Sequence, residues 1–171
     1  MNKLKKNLVL TGMMGSGKST VGKYLSDRLK MQFADMDNII EKKLSLSIVE
    51  IFQNKGEEFF RKIEEEETGK IIKKSGFIIA LGGGAFVNKT IREQIKKNSI
   101  SVWLDLDIDT IYKRTNINKK RPLLKNISKQ DLEKLYEERI KIYSLADFKI
   151  SCNSKSKGEI VDEIEKIYED K

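Results

Sequence analysis

Apolar positions along the chain follow two alternating rhythms. Short apolar runs bounded by polar or glycine residues occur at "NLVLT" (7–11), "FADMD" (33–37), "GFIIALGG" (76–83), "SISVWLDLD" (99–107) and "DFKIS" (147–151), and each predicts a strand. Between them, apolar residues recur every three or four positions within stretches rich in lysine and glutamate. These predict helices near 18–30, 48–74, 88–97, 107–116, 128–145 and 157–170. Strands alternating with helices predict an α/β domain whose sheet is largely parallel and covered by helices on both faces. "FIIAL" is apolar without interruption, as a strand buried on both sides requires. No repeat, low-complexity tract or linker divides the 171 residues, so a single domain (1–171) is expected. The long stretch with a turn signal is 115–127, "TNINKKRPLLKNI", which holds the only proline, Pro122, and is expected to form a mobile loop.

Composition narrows the chemistry. Hydrophobic residues make up 39% of the chain, and no apolar run approaches the length of a membrane span. After the basic "MNKLKK", the run "NLVL" is too short for a signal-peptide core, so a soluble cytoplasmic protein is expected. One cysteine, Cys152, and no histidine exclude an internal disulfide, a Cys-rich metal site and any His-based triad. The net charge of +8 admits nucleic acid, an anionic surface or a phosphorylated ligand as partner. Most of that charge is lysine scattered among acidic residues, which reads as solvated helix surface. Only six of the 34 basic residues are arginine. Arginine offers a planar fork for carboxylate and phosphate that lysine does not copy, so each arginine bears watching.

The first strand runs into "GMMGSGKST" (12–20). Gly12, Gly17, Lys18 and Ser19 complete the P-loop pattern G-x-x-x-x-G-K-S, with a predicted strand before it and a helix after it. Glycines allow the backbone to curl with its N–H groups pointing inward, and the new helix aims its positive end at the same point. A nucleoside triphosphate is the expected ligand, with Lys18 reaching the β- and γ-phosphates and Ser19 ligating Mg²⁺. GTPases, motor ATPases and small-molecule kinases share this loop. The short chain and the lack of an NKxD-type guanine-reading pattern favour a small-molecule kinase.

Four further features point to an acceptor side. In "FADMD", Asp35 and Asp37 lie two residues apart and are expected on one face of the second strand, where a cation would relieve their repulsion. One carboxylate would then face Mg²⁺ and the other a substrate hydroxyl. In "FFRKIEEEE", Arg61 and Glu64 are three apart on a helix, so Glu64 can steady the guanidinium. "LGGGA" (81–85) closes the buried strand with Gly82, Gly83 and Gly84, backbone that a ligand can approach closely. In the helix 128–145, Arg139 falls inside the stripe formed by Leu132, Leu135, Tyr136 and Tyr143. An inward-facing arginine needs an anion, either a carboxylate of the protein or one of a ligand. "KKRPLL" (119–124) suits a lid over phosphates, with Arg121 near the transferring group.

In this order and spacing, "GMMGSGKST", "FADMD", "FRKIE", "LGGGA", "RPLL" and "ERIKIYSLAD" make the chain resemble the shikimate kinases along nearly its whole length. The resemblance implies a P-loop kinase fold: a three-layer αβα arrangement with a five-stranded parallel sheet of order 2-3-1-4-5 and a mobile lid about 115–127. It implies transfer of the γ-phosphoryl of ATP to the 3-hydroxyl of shikimate on the route to chorismate. By motif match, Gly12, Met14, Gly15, Ser16, Gly17, Lys18, Ser19 and Thr20 would hold ATP. Arg114 and Lys155 would lie by the adenine and Arg121 on the lid. Ser19, and Asp35 through water, would hold Mg²⁺. Asp37 would bind the acceptor hydroxyls and act as base. Arg61 and Arg139 would clamp the carboxylate, and Gly82, Gly83 and Gly84 would line the pocket. Lys18, Asp37 and Arg121 would carry catalysis. The segment "CNSKSKG" (152–158) departs from the family pattern, with Lys155 where an arginine is usual and no proline.

Two neighbouring readings carry less. A gluconate kinase would share the P-loop but not the paired aspartates, "FRKIE" and the triple glycine. A nucleic-acid-binding ATPase would need a clustered basic face or aromatic platform, and aromatics are only 8% without interleaving. Intact Lys18, Ser19 and Asp37 speak against an inactive nucleotide-binding module. No nucleic acid or membrane is expected as partner, and nothing demands more than a monomer.

Overall fold

The computed structural model describes residues 5–117 and 127–171. Five strands, β1 (Asn7–Thr11), β2 (Gln32–Asp35), β3 (Phe77–Ala80), β4 (Ser99–Asp105) and β5 (Phe148–Ser151), form one sheet in the order β2-β3-β1-β4-β5. Every pairing is parallel, with Val9 opposite Ile79 on one side and Ser101 on the other. Parallel neighbours require crossovers, and helices supply them: α1 (Lys18–Leu29), α2 (Met36–Leu44), α3 (Ile48–Ile72), α4 (Lys89–Asn98), α5 (Ile108–Ile117), α6 (Lys129–Tyr143) and α7 (Lys157–Glu169). The expected P-loop kinase architecture, sheet order included, is what the chain adopts.

β1 is buried at all five positions because it lies at the centre of the sheet between two covered faces. Its one amide side chain, Asn7, is paired on both ends. Nδ2 donates to the carbonyls of Ile72 and Lys74 at 3.0 and 2.7 Å, and Oδ1 accepts from Phe77 N at 2.9 Å. That cross-link ties the end of α3 and the start of β3 to β1. A second, smaller apolar cluster of Ile40, Ile51 and Phe60 joins α2 to α3.

Two expectations need correction. Asp35 and Asp37 are not both on a strand. β2 ends at Asp35, which becomes the N-cap of α2 by accepting from Asn38 N at 3.3 Å, and Asp37 stands in the first turn of that helix. The helix α2 itself was not anticipated. α3 follows as one long element broken at Gly56, whose φ of 83° is left-handed. The expected lid, 115–127, overlaps the last turn of α5 at its start. Arg121 and Pro122 lie outside the described residues.

The topology decides where a ligand can sit. From β1 the chain crosses towards β2, and from the adjacent β3 it crosses the other way towards β4. Right-handed crossovers put those two connections on opposite faces of the sheet. The loops leaving β1 and β3 therefore diverge, opening a crevice beyond the carboxyl ends of the two strands. "GMMGSGK" follows β1 and "LGGG" follows β3, so both glycine-rich segments border it.

Candidate active site

The loop after β1 is shaped by glycine. Gly12, Gly15 and Gly17 have φ of 139°, 77° and 95°, a region that side chains with a Cβ rarely enter. At Gly12 a Cβ would also stand 2.7 Å from the Leu104 carbonyl. Gly17 precedes α1 without a side-chain cap, leaving the first amides of that helix directed into the loop. Lys18 is buried, and its Nζ donates to the carbonyls of Gly12 and Met13, both at 2.8 Å. Ser16 Oγ is buried and makes no hydrogen bond among the described residues. Met14 is half-buried, whereas Thr20 is exposed on α1. Gly22, next in the series of glycines, does something else: a Cβ there would strike the Phe33 ring at 2.5 Å, so its role is close packing of α1 on β2.

Beside this loop, Ser19 Oγ donates to Asp35 Oδ2 at 2.5 Å. Two oxygen ligands of the kind that Mg²⁺ prefers therefore meet at the mouth of the phosphate cradle. Asp35 faces Ser19 through its position as N-cap, while Asp37, two residues on, faces the glycine run.

That run, Gly82–Gly84, is where the other candidates converge. A Cβ at Gly82 would lie 2.7 Å from Asp37 Oδ1 and 2.9 Å from Glu64 Oε1. At Gly83 it would lie 3.3 Å from Arg139 Nη1 and 3.6 Å from the Met14 amide nitrogen, and at Gly84 2.6 Å from Arg61 Nη1. Three successive residues thus lie against two carboxylates, one guanidinium and a second guanidinium, and the middle one borders the phosphate loop. Side chains longer than hydrogen would push these groups apart.

The electrostatics of this cluster are uneven. Arg61 is held by Glu64 at 2.7 Å and by Glu57 at 3.2 Å. Burial pulls its guanidinium pKa down, and the two carboxylates more than offset this. Glu64 is 1% exposed. Burial pushes its carboxyl pKa up, Arg61 opposes that, the Asp37 carboxylate adds to it, and Arg139 opposes it. Arg139 has no ion pair within hydrogen-bonding reach among the described residues, and its buried Nη1 lacks a hydrogen-bond partner there. An inward cation with an unsatisfied donor is costly unless an anion joins it. Either partner open to it from sequence, a carboxylate of the protein or one of a ligand, would satisfy that donor.

On the far side of the loop, Arg114 Nη1 donates to the Gly15 carbonyl at 3.0 Å. Lys155 pairs with Glu163 on α7 at 2.5 Å. Burial and Asp105 raise the Cys152 thiol pKa to about 11, while Lys155 and Arg114 act against it. The two residues expected near adenine are thus brought to one end of the molecule. Sequence reasoning treated Glu64 only as a support for Arg61 and missed its place against Gly82 and Asp37. It also passed over Tyr143 as core, although its hydroxyl donates to the Gly83 carbonyl.

Comparison with known proteins adds to this geometry. The family model described as shikimate kinase matches residues 14–169. A shikimate kinase of Sulfurihydrogenibium sp. is 41% identical over 93% of this chain and 95% of its own. Another, from Persephonella marina, is 38% identical over 93% and 96% respectively. Among solved structures, a shikimate kinase from Acinetobacter baumannii in complex with shikimate superposes with a TM-score of 0.90 at 32% identity, covering 96% of this chain and 93% of that one. A gluconokinase from Sinorhizobium meliloti, at 13% identity and TM-score 0.59 over 99% of this chain and 97% of that one, shares the fold alone.

Proposed function

The chain belongs to the shikimate kinase family, and on that premise we propose how its own residues transfer the γ-phosphoryl of ATP to the 3-hydroxyl of shikimate, releasing ADP and 3-phosphoshikimate. Gly12, Met14, Gly15, Ser16, Gly17, Ser19 and Thr20 grip the triphosphate through main-chain amides and hydroxyls, and Lys18 turns from the loop carbonyls to the β- and γ-phosphates. Ser19 and Asp35 would hold Mg²⁺, which when bound would supply positive charge against the phosphate oxygens. Arg114 and Lys155 flank the adenine. Arg121, outside the described residues, is assigned to the γ-phosphoryl group on its sequence motif alone.

On the acceptor side, Arg61 and Arg139 receive the shikimate carboxylate as paired forks. Gly82, Gly83 and Gly84 let the ring lie against bare backbone. Asp37 accepts from the 3-hydroxyl, orients it and takes its proton as the phosphoryl group arrives. Phosphoryl transfer through a loose transition state rests mainly on such positioning. The chain works as one domain and one monomer in the cytoplasm; among the described residues no helix is long and apolar enough to cross a membrane.

The observation that carries this reading is the orphan Nη1 of Arg139 beside Gly83, one residue from the Gly84–Arg61 contact and adjoining the phosphate loop. A carboxylate bound there leaves the ring hydroxyls directed at Asp37. A coupled ADP-release assay with shikimate, gluconate and single-stranded DNA added separately tests it. Stimulation by shikimate alone is expected; stimulation by gluconate or DNA in its place would overturn it.

A further inference from the structure

The glycine run lacks side chains to pack it in position, so its main-chain bonds must do so. The carbonyls of Gly82 and Gly84 are bonded locally, accepting from Ala85 N and Val87 N at 3.1 Å each in the short 3₁₀ turn that follows. The carbonyl of Gly83 points elsewhere and accepts from the Tyr143 hydroxyl on α6. Tyr143 is fully buried, with its ring centroid 6.1 Å from that of Trp103 and its hydroxyl 3.8 Å from the Met13 sulfur of the phosphate loop. Burial raises its pKa to about 12 against the charge of Arg139 and a hydrogen bond that Arg139 donates to the phenol oxygen, so near neutral pH the hydroxyl keeps the proton it donates, and Tyr143 meets both Gly83 and the Arg139 fork. Arg139 lies one helical turn before Tyr143 and meets the same Gly83.

We propose that Tyr143 is a positioning residue for the acceptor: by tying the Gly83 carbonyl to α6, it fixes the spacing between the glycine run and the Arg139 fork and so sets affinity for the acceptor carboxylate without touching the acceptor. The inference rests on the reading of Arg139 as a carboxylate fork. A tyrosine in an apolar stripe normally needs no role beyond packing. Here the ring supplies the packing, through Trp103, while the hydroxyl holds the one carbonyl of the run that the local turn leaves out. Loss of the hydroxyl strands that carbonyl and frees Gly83 to shift against Arg139.

The test is Tyr143→Phe, with Tyr168→Phe as matched control. Tyr168 also donates its hydroxyl to a main-chain carbonyl, that of Lys6 at 2.7 Å, but on α7 away from the glycine run. Tyr143→Phe should raise the KM for shikimate about tenfold, with kcat and the KM for ATP changed less than about twofold. Tyr168→Phe should leave all three unchanged. In the cycle with Arg139→Lys, the double variant should be little worse than Arg139→Lys alone, because Tyr143 acts through that fork. An unchanged shikimate KM in folded Tyr143→Phe, or effects that multiply in the double variant, would overturn the proposal. Should Tyr143→Phe fail to fold, Tyr143→p-aminophenylalanine keeps a donor for Gly83. It should hold the shikimate KM within about twofold, and a tenfold rise overturns the role. If the unaltered enzyme does not respond to shikimate, the acceptor assignment itself has failed, which separates that outcome from failure of the Tyr143 role.

Discussion

The two glycine-rich borders of the crevice, the proposed nucleotide side and the proposed acceptor side, are built in different ways. The proposed phosphate cradle is one contiguous segment, Gly12–Thr20, with main-chain amides whose directions three left-handed glycines set; the residues assigned to the adenine, Arg114 and Lys155, and Arg121 come from elsewhere in the chain. The acceptor side is gathered from four places in the chain: Asp37 on α2, Arg61 and Glu64 on α3, the glycine run after β3, and Arg139 on α6. Here the glycines make room for side chains delivered by other elements. A backbone cradle depends on local conformation and keeps its shape wherever a strand meets a helix. An assembled pocket depends on the packing of every contributing helix, so its specificity is open to change at positions far apart in sequence.

The largest effect expected lies where the two sides meet. Asp37→Asn removes the carboxylate but not the shape, and kcat should fall by about 10²–10⁴ with both KM values nearly unchanged. Near-normal turnover in a rapid-quench assay would confine Asp37 to the acceptor pocket wall. Next in size is Arg139→Lys, which keeps charge and loses the fork. The KM for shikimate should rise about 10- to 100-fold, leaving the KM for ATP alone. A rise in the ATP value instead would move Arg139 to the nucleotide side.

Two glycine substitutions sharpen the contrast between room and packing. Gly84 has φ −98°, so alanine there brings no backbone strain, only a Cβ 2.6 Å from Arg61 Nη1. Gly84→Ala should raise the shikimate KM about tenfold with little loss of thermal stability, as measured by steady-state kinetics and calorimetry together. Gly22→Ala should show the reverse, a stability loss of about 1–2 kcal/mol from the Phe33 clash, with kinetics unchanged. If both variants lose stability alone, the glycine run is core rather than pocket.

How much of this was legible in the sequence follows the same division. The phosphate cradle was, because its determinants are adjacent and its flanking strand and helix announce themselves. All five strands were legible to within a few residues: β1, β3 and β4 are apolar runs buried in the middle of the sheet, while the edge strands β2 and β5 are short, partly exposed and marked mainly by one buried position each. Helix α2 was missed because Ala34–Met36 alternates with Asp35 and Asp37 as a strand would. The competing signal was Asp35 as an N-cap ahead of Met36, Ile39 and Ile40 at helical spacing. Arg139 stood out as a cation in an apolar stripe. Glu64 did not, because a run of four glutamates reads as solvated surface. Its spacing from Phe60 and Thr68, both buried and four residues away, was the available clue. The bond from Tyr143 to Gly83 spans 60 residues and has no local signature.

Two guanidinium forks, one of them carrying an unsatisfied donor, are proposed to hold the acceptor by its carboxylate. Shikimate and its methyl ester, compared by kcat/KM, separate this from any role for the ring alone, since the ester keeps every ring hydroxyl and loses the charge. The ester should be at least about a hundredfold poorer, with the penalty largely lost in Arg139→Lys. An ester that performs within about threefold of the acid in the unaltered enzyme would mean that the carboxylate is not held there.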